Sequence, residues 1–143
     1  MSEADVLLVE DNPGDVRLVR EAFTQGPVET ALHVVSDGTA ALSFLRQHGE
    51  YADAPRPDIV LLDLNLSKTS GEAVLTAVAG DPALRHLPVL VLTSSDAAED
   101  IASAYDRQAN AYLTKPVDPD AFIDLIEQVQ RFWLSAVLLP PDE

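Results

Sequence analysis

A chain of 143 residues fits one ordinary domain, long enough to bury a real core and too short for that core plus a second module. Its 24 acidic against 9 basic residues give a formal charge of −15, which repels nucleic acid and anionic membrane surfaces and argues against DNA binding by this chain alone. There is no cysteine, so disulfides and thiolate metal sites are excluded. Met1-Ser2-Glu3-Ala4-Asp5 lacks a signal-peptide pattern and no apolar run approaches 18 residues or so, and the expectation is a soluble, cytoplasmic protein.

The first element in chain order is Val6-Leu7-Leu8-Val9, a strand apolar on both faces that stops at Glu10-Asp11. Asn12-Pro13-Gly14-Asp15 then reads as a helix N-cap, a proline at the first helical position and an acid in the first turn. Val16, Val19, Ala22 and Phe23 share one face of the helix that follows, and Gly26-Pro27 breaks it. Glu29 to Val35 supplies a second, less apolar strand, in which His33 reads as an ordinary strand histidine rather than a ligand. Ser36-Asp37-Gly38 caps a second helix carrying Ala41, Leu42, Phe44 and Leu45, and Gly49 to Pro57 is a loop. Ile59-Val60-Leu61-Leu62 is four aliphatic residues ending in the carboxylate of Asp63.

A loop from Leu64 to Gly71 leads to a third helix, Glu72 to Ala79. Leu87 to Leu92 is a further strand apolar on both faces, closed by Thr93-Ser94-Ser95. The helix from Asp96 to Arg107 is the weakest, with a sparse apolar face at Ile101, Ala102 and Tyr105. Ala109 to Leu113 is a short last strand followed by Thr114-Lys115-Pro116. The final helix opens with Asp118 as cap and Pro119 at its first position, and Phe122, Leu125, Ile126, Val129 and Trp133 form its buried stripe.

Strand followed by helix, five times over, with long crossovers, requires parallel strands and right-handed connections. The predicted fold class is therefore α/β, a three-layer, doubly wound, parallel five-stranded sheet in the order 2-1-3-4-5. In such sheets ligands gather outside the carboxyl ends of the strands, so Glu10, Asp11, Asp63, Thr93 and Lys115 project from one edge. Taken alone, Asp63 equally fits a turn residue leaving a core strand, Glu10-Asp11 a helix cap, and Lys115 a solvated charge. Taken together they make a site. Two carboxylates about 5 Å apart at an effective dielectric near 20 repel by roughly 3 kcal/mol, so a positive charge has to sit between them. A hard divalent cation such as Mg²⁺ suits oxygen ligands of this kind, Lys115 supplies a compact ammonium, and Thr93 a hydroxyl. Metal, ammonium and hydroxyl are what an aspartyl phosphate on Asp63 needs.

These four motifs, Glu10-Asp11, Asp63, Thr93 and Lys115-Pro116, fall in the order and approximate spacing of a response-regulator receiver domain of two-component signalling, which the chain resembles over residues 5 to 133. The resemblance implies that Glu10, Asp11, Asp63 and the backbone carbonyl of Asn65 bind Mg²⁺. It implies that Asp63 accepts a phosphoryl group from a sensor histidine kinase, that Lys115 contacts its oxygens, and that Thr93 and Tyr112 form the switch pair. It also implies a cis Lys115–Pro116 peptide bond. Glu10-Asp11-Asn12-Pro13-Gly14-Asp15, the long loop before the third strand and Asp63-Leu64-Asn65-Leu66 resemble the stand-alone regulators that serve bacteriophytochrome-type kinases. One departure is Ser67, where the family usually has proline.

On this reading the chain is a phosphoryl acceptor in a phosphorelay and not an enzyme, apart from slow self-dephosphorylation, and it signals through its helix 4, strand 5 and helix 5 surface to a downstream protein. Two other classes compete. A haloacid-dehalogenase-type phosphatase needs a second aspartate two residues after the first, where this chain has Asn65. A pseudo-receiver would use the fold only as a binding platform. Phe132, Trp133, Leu134, Val137, Leu138 and Leu139, at the end of the last helix and in the tail, suggest an interface. The expected organisation is a receiver domain over residues 1–133 and a dimerisation extension over 134–143, giving a homodimer. The competing reading has the tail folded back over its own domain.

Overall fold

The computed structural model describes residues 3–141. Met1, Ser2, Asp142 and Glu143, the ends of the two expected segments, lie outside the described residues. Five strands, β1 (Ala4–Val9), β2 (Thr30–Val35), β3 (Ile59–Leu62), β4 (Val89–Thr93) and β5 (Ala111–Thr114), alternate with helices α1 (Pro13–Gln25), α2 (Gly38–Arg46), α3 (Gly71–Ala79), α4 (Ala98–Asp106) and α5 (Pro119–Arg131). All strand pairs are parallel, and the order is β2-β1-β3-β4-β5.

The pleat sorts the aliphatic residues of the central strands into two cores. Leu7, Val9, Val60, Leu62 and Val91 face α2 and α3, packing on Phe44, Leu45, Val74 and Leu75. Val6, Leu8, Ile59, Leu61, Leu90 and Leu92 face α1 and α5, packing on Val19, Phe23, Phe122 and Ile126. Strands buried on both faces therefore need no polar alternation, which explains their near-continuous apolar runs.

Capping fixes where the helices begin. The side chains of Asn12, Asp37, Ser70 and Asp118 accept hydrogen bonds from the N–H groups of Asp15, Ala40, Ala73 and Ala121 respectively, and Pro13 and Pro119 open α1 and α5. Helix α4 starts from Ala97, whose methyl side chain cannot cap, while Ser95 Oγ donates to Asp100 Oδ2 at 2.5 Å and accepts from Ala97 N–H at 3.3 Å. It is thus shorter than the span Asp96 to Arg107. Its buried residue is Ala104, whereas Tyr105 is 49% exposed. Strand β5 begins two residues later than the apolar pattern suggests, because Ala109 N–H donates to Ala104 O and closes α4 first.

A buried polar contact ties α5 to the α1–β2 connection. Gln130 is fully buried, and its Nε2 donates to Val28 O at 2.8 Å and to Thr30 Oγ1 at 3.2 Å. Gly26 makes room for that amide, since a Cβ there would lie 1.6 Å from Gln130 Oε1.

After α5 a five-residue π-turn, Phe132–Ala136, closed by Val137 N–H on Phe132 O, redirects the chain. The tail folds back over its own domain in part. Trp133, Leu134 and Leu139 pack against the α1/α5 core, and Leu139, Pro140 and Pro141 line one wall of a cavity of about 500 Å³ with Arg56, His86 and Leu87. Phe132 and Leu138 point outward, 56% and 97% exposed. Leu134 follows Ile126 and Gln130 at helical spacing and so stays on the buried face of α5, while Phe132 lies off it.

Candidate functional site

Register alone brings the acids together. Val9 pairs with Leu62 across β1 and β3, so the next residues, Glu10 and Asp63, emerge side by side. Glu10 N–H donates to Val35 O and Asp63 N–H to Val9 O, which extends the ladder one step beyond the strands and fixes both Cα positions. On the other side Thr93 pairs with Thr114, and Lys115 N–H donates to Thr93 O at 2.8 Å. The five residues expected to converge at the carboxyl edge do so.

Lys115 Nζ lies at the centre. It donates to Glu10 Oε1 at 2.7 Å, Asp15 Oδ2 at 2.8 Å and Asp63 Oδ2 at 3.0 Å, with its side chain 8% exposed. Backbone donors hold one oxygen each of Glu10, Asp63 and Asp11. Asn12 N–H reaches Glu10 Oε2 at 3.2 Å, Asn65 N–H reaches Asp63 Oδ1 at 3.0 Å, and Ser67 N–H reaches Asp11 Oδ2 at 2.9 Å. That last bond exists because residue 67 is serine; a proline there has no N–H to donate.

Glu10, Asp11 and Asp63 each place one carboxylate oxygen so that all three lie within 4.8 Å of one another. An all-oxygen set this tight fits a hard divalent cation. The Asn65 carbonyl accepts no hydrogen bond among the described residues, consistent with a fourth ligand, while the Asn65 side chain turns away to donate to Thr93 Oγ1 at 3.3 Å. The position two residues after Asp63 thus carries an amide engaged with Thr93 and not a second carboxylate, which disfavours the phosphatase reading. Gly71 forms part of the floor. A Cβ there would stand 2.5 Å from Asp63 O, so only glycine lets the start of α3 come this close to the acceptor strand.

The electrostatics follow the geometry. Burial pushes the Glu10 carboxyl up to about 7, with the adjacent Asp63 adding to the rise and Lys115 opposing it. Burial would also raise Asp63, but the Asn65 N–H, Glu10 and Lys115 outweigh it and hold that carboxyl below its ordinary value. Burial alone would lower Lys115; its bonds to Asp15 and Glu10 reverse this and raise it. Asp63 is therefore a buried carboxyl group held toward its ionised form beside the Lys115 ammonium.

Thr93 is fully buried, and the Tyr112 hydroxyl donates to Ser95 O at 2.9 Å. Both expected switch residues thus flank the β4–α4 connection, Thr93 at the site and Tyr112 one strand away. The Lys115–Pro116 bond is trans, contrary to the cis form the resemblance implied. Trans is the intrinsically favoured isomer before proline, and Lys115 reaches all three carboxylates from it. Asp15 is the site residue that sequence reasoning missed, because an acid in the first turn of a helix is already accounted for by the helix dipole.

Comparison with known proteins agrees with this arrangement. Residues 6–127 match the family model described as response regulator receiver domain. The chain belongs to the response-regulator receiver family. Among its relatives, the response regulator Rcp1 of Synechocystis sp. is 41% identical over 135 residues, covering 94% of this chain and 92% of Rcp1. The structure of the phosphorylated cyanobacterial phytochrome response regulator RcpA superposes with a TM-score of 0.94 at 41% identity, over 98% of this chain and 100% of that one. The Mn²⁺-bound form of Rcp1 gives 0.92 at 40% identity, over 96% and 99%. The bacteriophytochrome response regulator RtBRR gives 0.76 at 34% identity, over 99% and 86%. This receiver is therefore similar to phytochrome and bacteriophytochrome response regulators, and one of its relatives, Rcp1, has a Mn²⁺-bound form. Among the described residues no helix is long and apolar enough to cross a membrane.

Proposed function

We propose that this receiver accepts a phosphoryl group on Asp63 from a sensor histidine kinase, with Mg²⁺ held by Glu10, Asp11, Asp63 and the Asn65 carbonyl. The observation that carries the reading is the convergence of Lys115 Nζ and a metal-capable acidic triad on a single buried, ionised aspartate. An Asp63 carboxylate oxygen forms the new P–O bond as the P–N bond of the phosphohistidine breaks, and the departing imidazole carries away the electron pair and takes up a proton. The bound cation supplies neutralisation of the phosphoryl oxygens. Lys115 offers an ammonium to one of those oxygens, and Thr93 a hydroxyl to another. Because the RcpA and RtBRR relatives are phytochrome regulators, a phytochrome-type kinase is the donor this reading favours.

Once phosphorylated, Asp63 draws Thr93 inward, Thr93 releases the Asn65 amide, and Tyr112 leaves Ser95 O for the vacated space. That shift changes the α4–β5–α5 surface and passes the signal to a downstream protein. The outward-facing Phe132 and Leu138, continuous with α5, suit a symmetric contact between two copies. Sedimentation of Phe132→Ser/Leu138→Ser checks this: a monomer is expected, and self-association equal to that of the unaltered chain would remove these residues from the interface.

The phosphorylation reading is tested by incubating the chain and its Asp63→Asn and Asp37→Asn variants with acetyl phosphate and Mg²⁺ and weighing the products. Asp37 caps α2 through the Ala40 N–H and is not one of the triad's carboxylates. One added phosphoryl group in the unaltered chain and in Asp37→Asn, with none in Asp63→Asn, is expected. Equal labelling of all three would place the acceptor elsewhere, and no labelling of any would favour a pure binding platform.

A further inference from the structure

Three carboxylates share Lys115, but only two of them belong to the metal-capable triad. Glu10 and Asp63 do; Asp15 does not. The ammonium therefore bridges the cluster and a single acid standing outside it. With Nζ at 2.7 Å from Glu10 and 3.0 Å from Asp63, the lysine is itself the counter-cation of two carboxylates a divalent ion would share. A divalent ion on the same two carboxylates repels the ammonium and withdraws the negative charge that held it. Lys115 then needs another partner, and its backbone cannot retreat, since its N–H is fixed on Thr93 O.

Asp15 meets that need. It lies one helical turn into α1, anchored by its own N–H on the Asn12 cap, at 2.8 Å from Nζ. Its side chain is 24% exposed against 6% for Asp63, so its charge is partly solvated and remains available when the inner pair is claimed. We infer that Asp15 is a positioning residue that holds the Lys115 ammonium at the rim when a divalent ion enters the acidic triad, so that metal binding does not require a buried, unpaired lysine.

The inference rests on the metal-dependent reading of the site, and it makes Asp15 act through Lys115 alone. An acid that merely added to the negative field would strengthen cation binding whether or not the lysine were present. The two roles separate in a double-mutant cycle on the full chain, read as Mn²⁺ affinity from the paramagnetic resonance signal of the free ion. Asp15→Asn is expected to weaken Mn²⁺ binding roughly fivefold, in keeping with a partly exposed ion pair of good geometry. In a Lys115→Met background the same substitution is expected to change affinity by less than about twofold. Asp15→Glu, which keeps the charge on a longer arm, should recover most of the loss, and this arm holds even if Lys115→Met does not fold. An equal loss in both backgrounds, or none in the unaltered background, overturns the inference while leaving the metal site intact. Failure of the unaltered chain to bind Mn²⁺ overturns the metal reading and the inference together.

Discussion

Helices α5 and α4 flank the same strand, β5, and are built to opposite standards. The first runs 13 residues from an aspartate cap and a proline, and buries Phe122, Ile126, Val129 and Gln130. The second runs 9 residues from an alanine without a capping side chain and buries Ala104 alone. What secures α4 is polar and peripheral: Ser95 on Asp100, Ser103 on Glu72, and Arg107 on Ser103. These bonds are partly solvated and exchange readily with water, whereas the apolar anchors of α5 do not. On the proposed reading, the part of the surface that changes when Asp63 is modified is drawn mainly from the weaker helix, with the stronger one as the frame.

The widest gap should appear on truncating each helix. Phe122→Ala in α5 is expected to cost about 3–5 kcal/mol, and Ile101→Ala, half-buried on α4, about 1 kcal/mol. Urea denaturation followed by circular dichroism measures both, and similar costs would erase the distinction.

A smaller effect is expected from pH, through Glu10 at the carboxyl edge of the sheet. Glu10 is raised by burial to about 7 in the folded chain from 4.5, so the fold binds its proton more tightly than the unfolded chain does. Its contribution to stability is complete below about pH 4.5 and is lost as pH rises through about 7, up to roughly 3 kcal/mol. Asp63, lowered, works in the opposite sense, its contribution being lost only as pH falls through its depressed value. Metal-free unfolding at pH 5 and pH 8 should show the Glu10 loss, and Glu10→Gln should flatten it. An unchanged slope in that variant would assign the titration to another group.

The smallest expected effect strengthens the weak helix. Ala97 already has the extended backbone of an N-cap, with φ −66° and ψ 133°. Ala97→Ser should add about 0.5–1 kcal/mol and slow amide exchange in α4, leaving α5 unchanged. Equal slowing in both helices would mean that they open as one unit.

The same contrast explains what the sequence revealed. Val6 to Val9, Ile59 to Leu62 and Val89 to Leu92 are apolar on both faces, which indicates a covered parallel sheet, and a parallel sheet sends Glu10, Asp63 and Thr93 to one edge without further information. The caps Asn12, Asp37 and Asp118 marked their helices because each is a local side-chain-to-backbone bond. Helix α4 was blurred at its start because Ser95 and Asp96 resemble caps, whereas the N-cap is Ala97 and Ser95 Oγ links Asp100 to the Ala97 N–H. Asp15 escaped notice because its partner is Lys115, a hundred residues away. The pattern that could have flagged it is an acid one turn beyond an acidic pair, at the same sheet edge. Ser67 was visible as a departure from proline, but its consequence, an N–H on Asp11, depends on the loop's path. The tail was legible as apolar and not as divided, since which of Leu138 and Leu139 packs inward depends on the path of the chain beyond the last helix.

Incubation with acetyl phosphate, with and without Mg²⁺, followed by intact mass and then hydrogen exchange of the product, tests the account most directly. The account predicts one phosphoryl group on Asp63 only when Mg²⁺ is present, with altered exchange concentrated in residues 94–112 and little change in 122–130. No phosphoryl gain with Mg²⁺, or a gain that loosens α5 as much as α4, would contradict it.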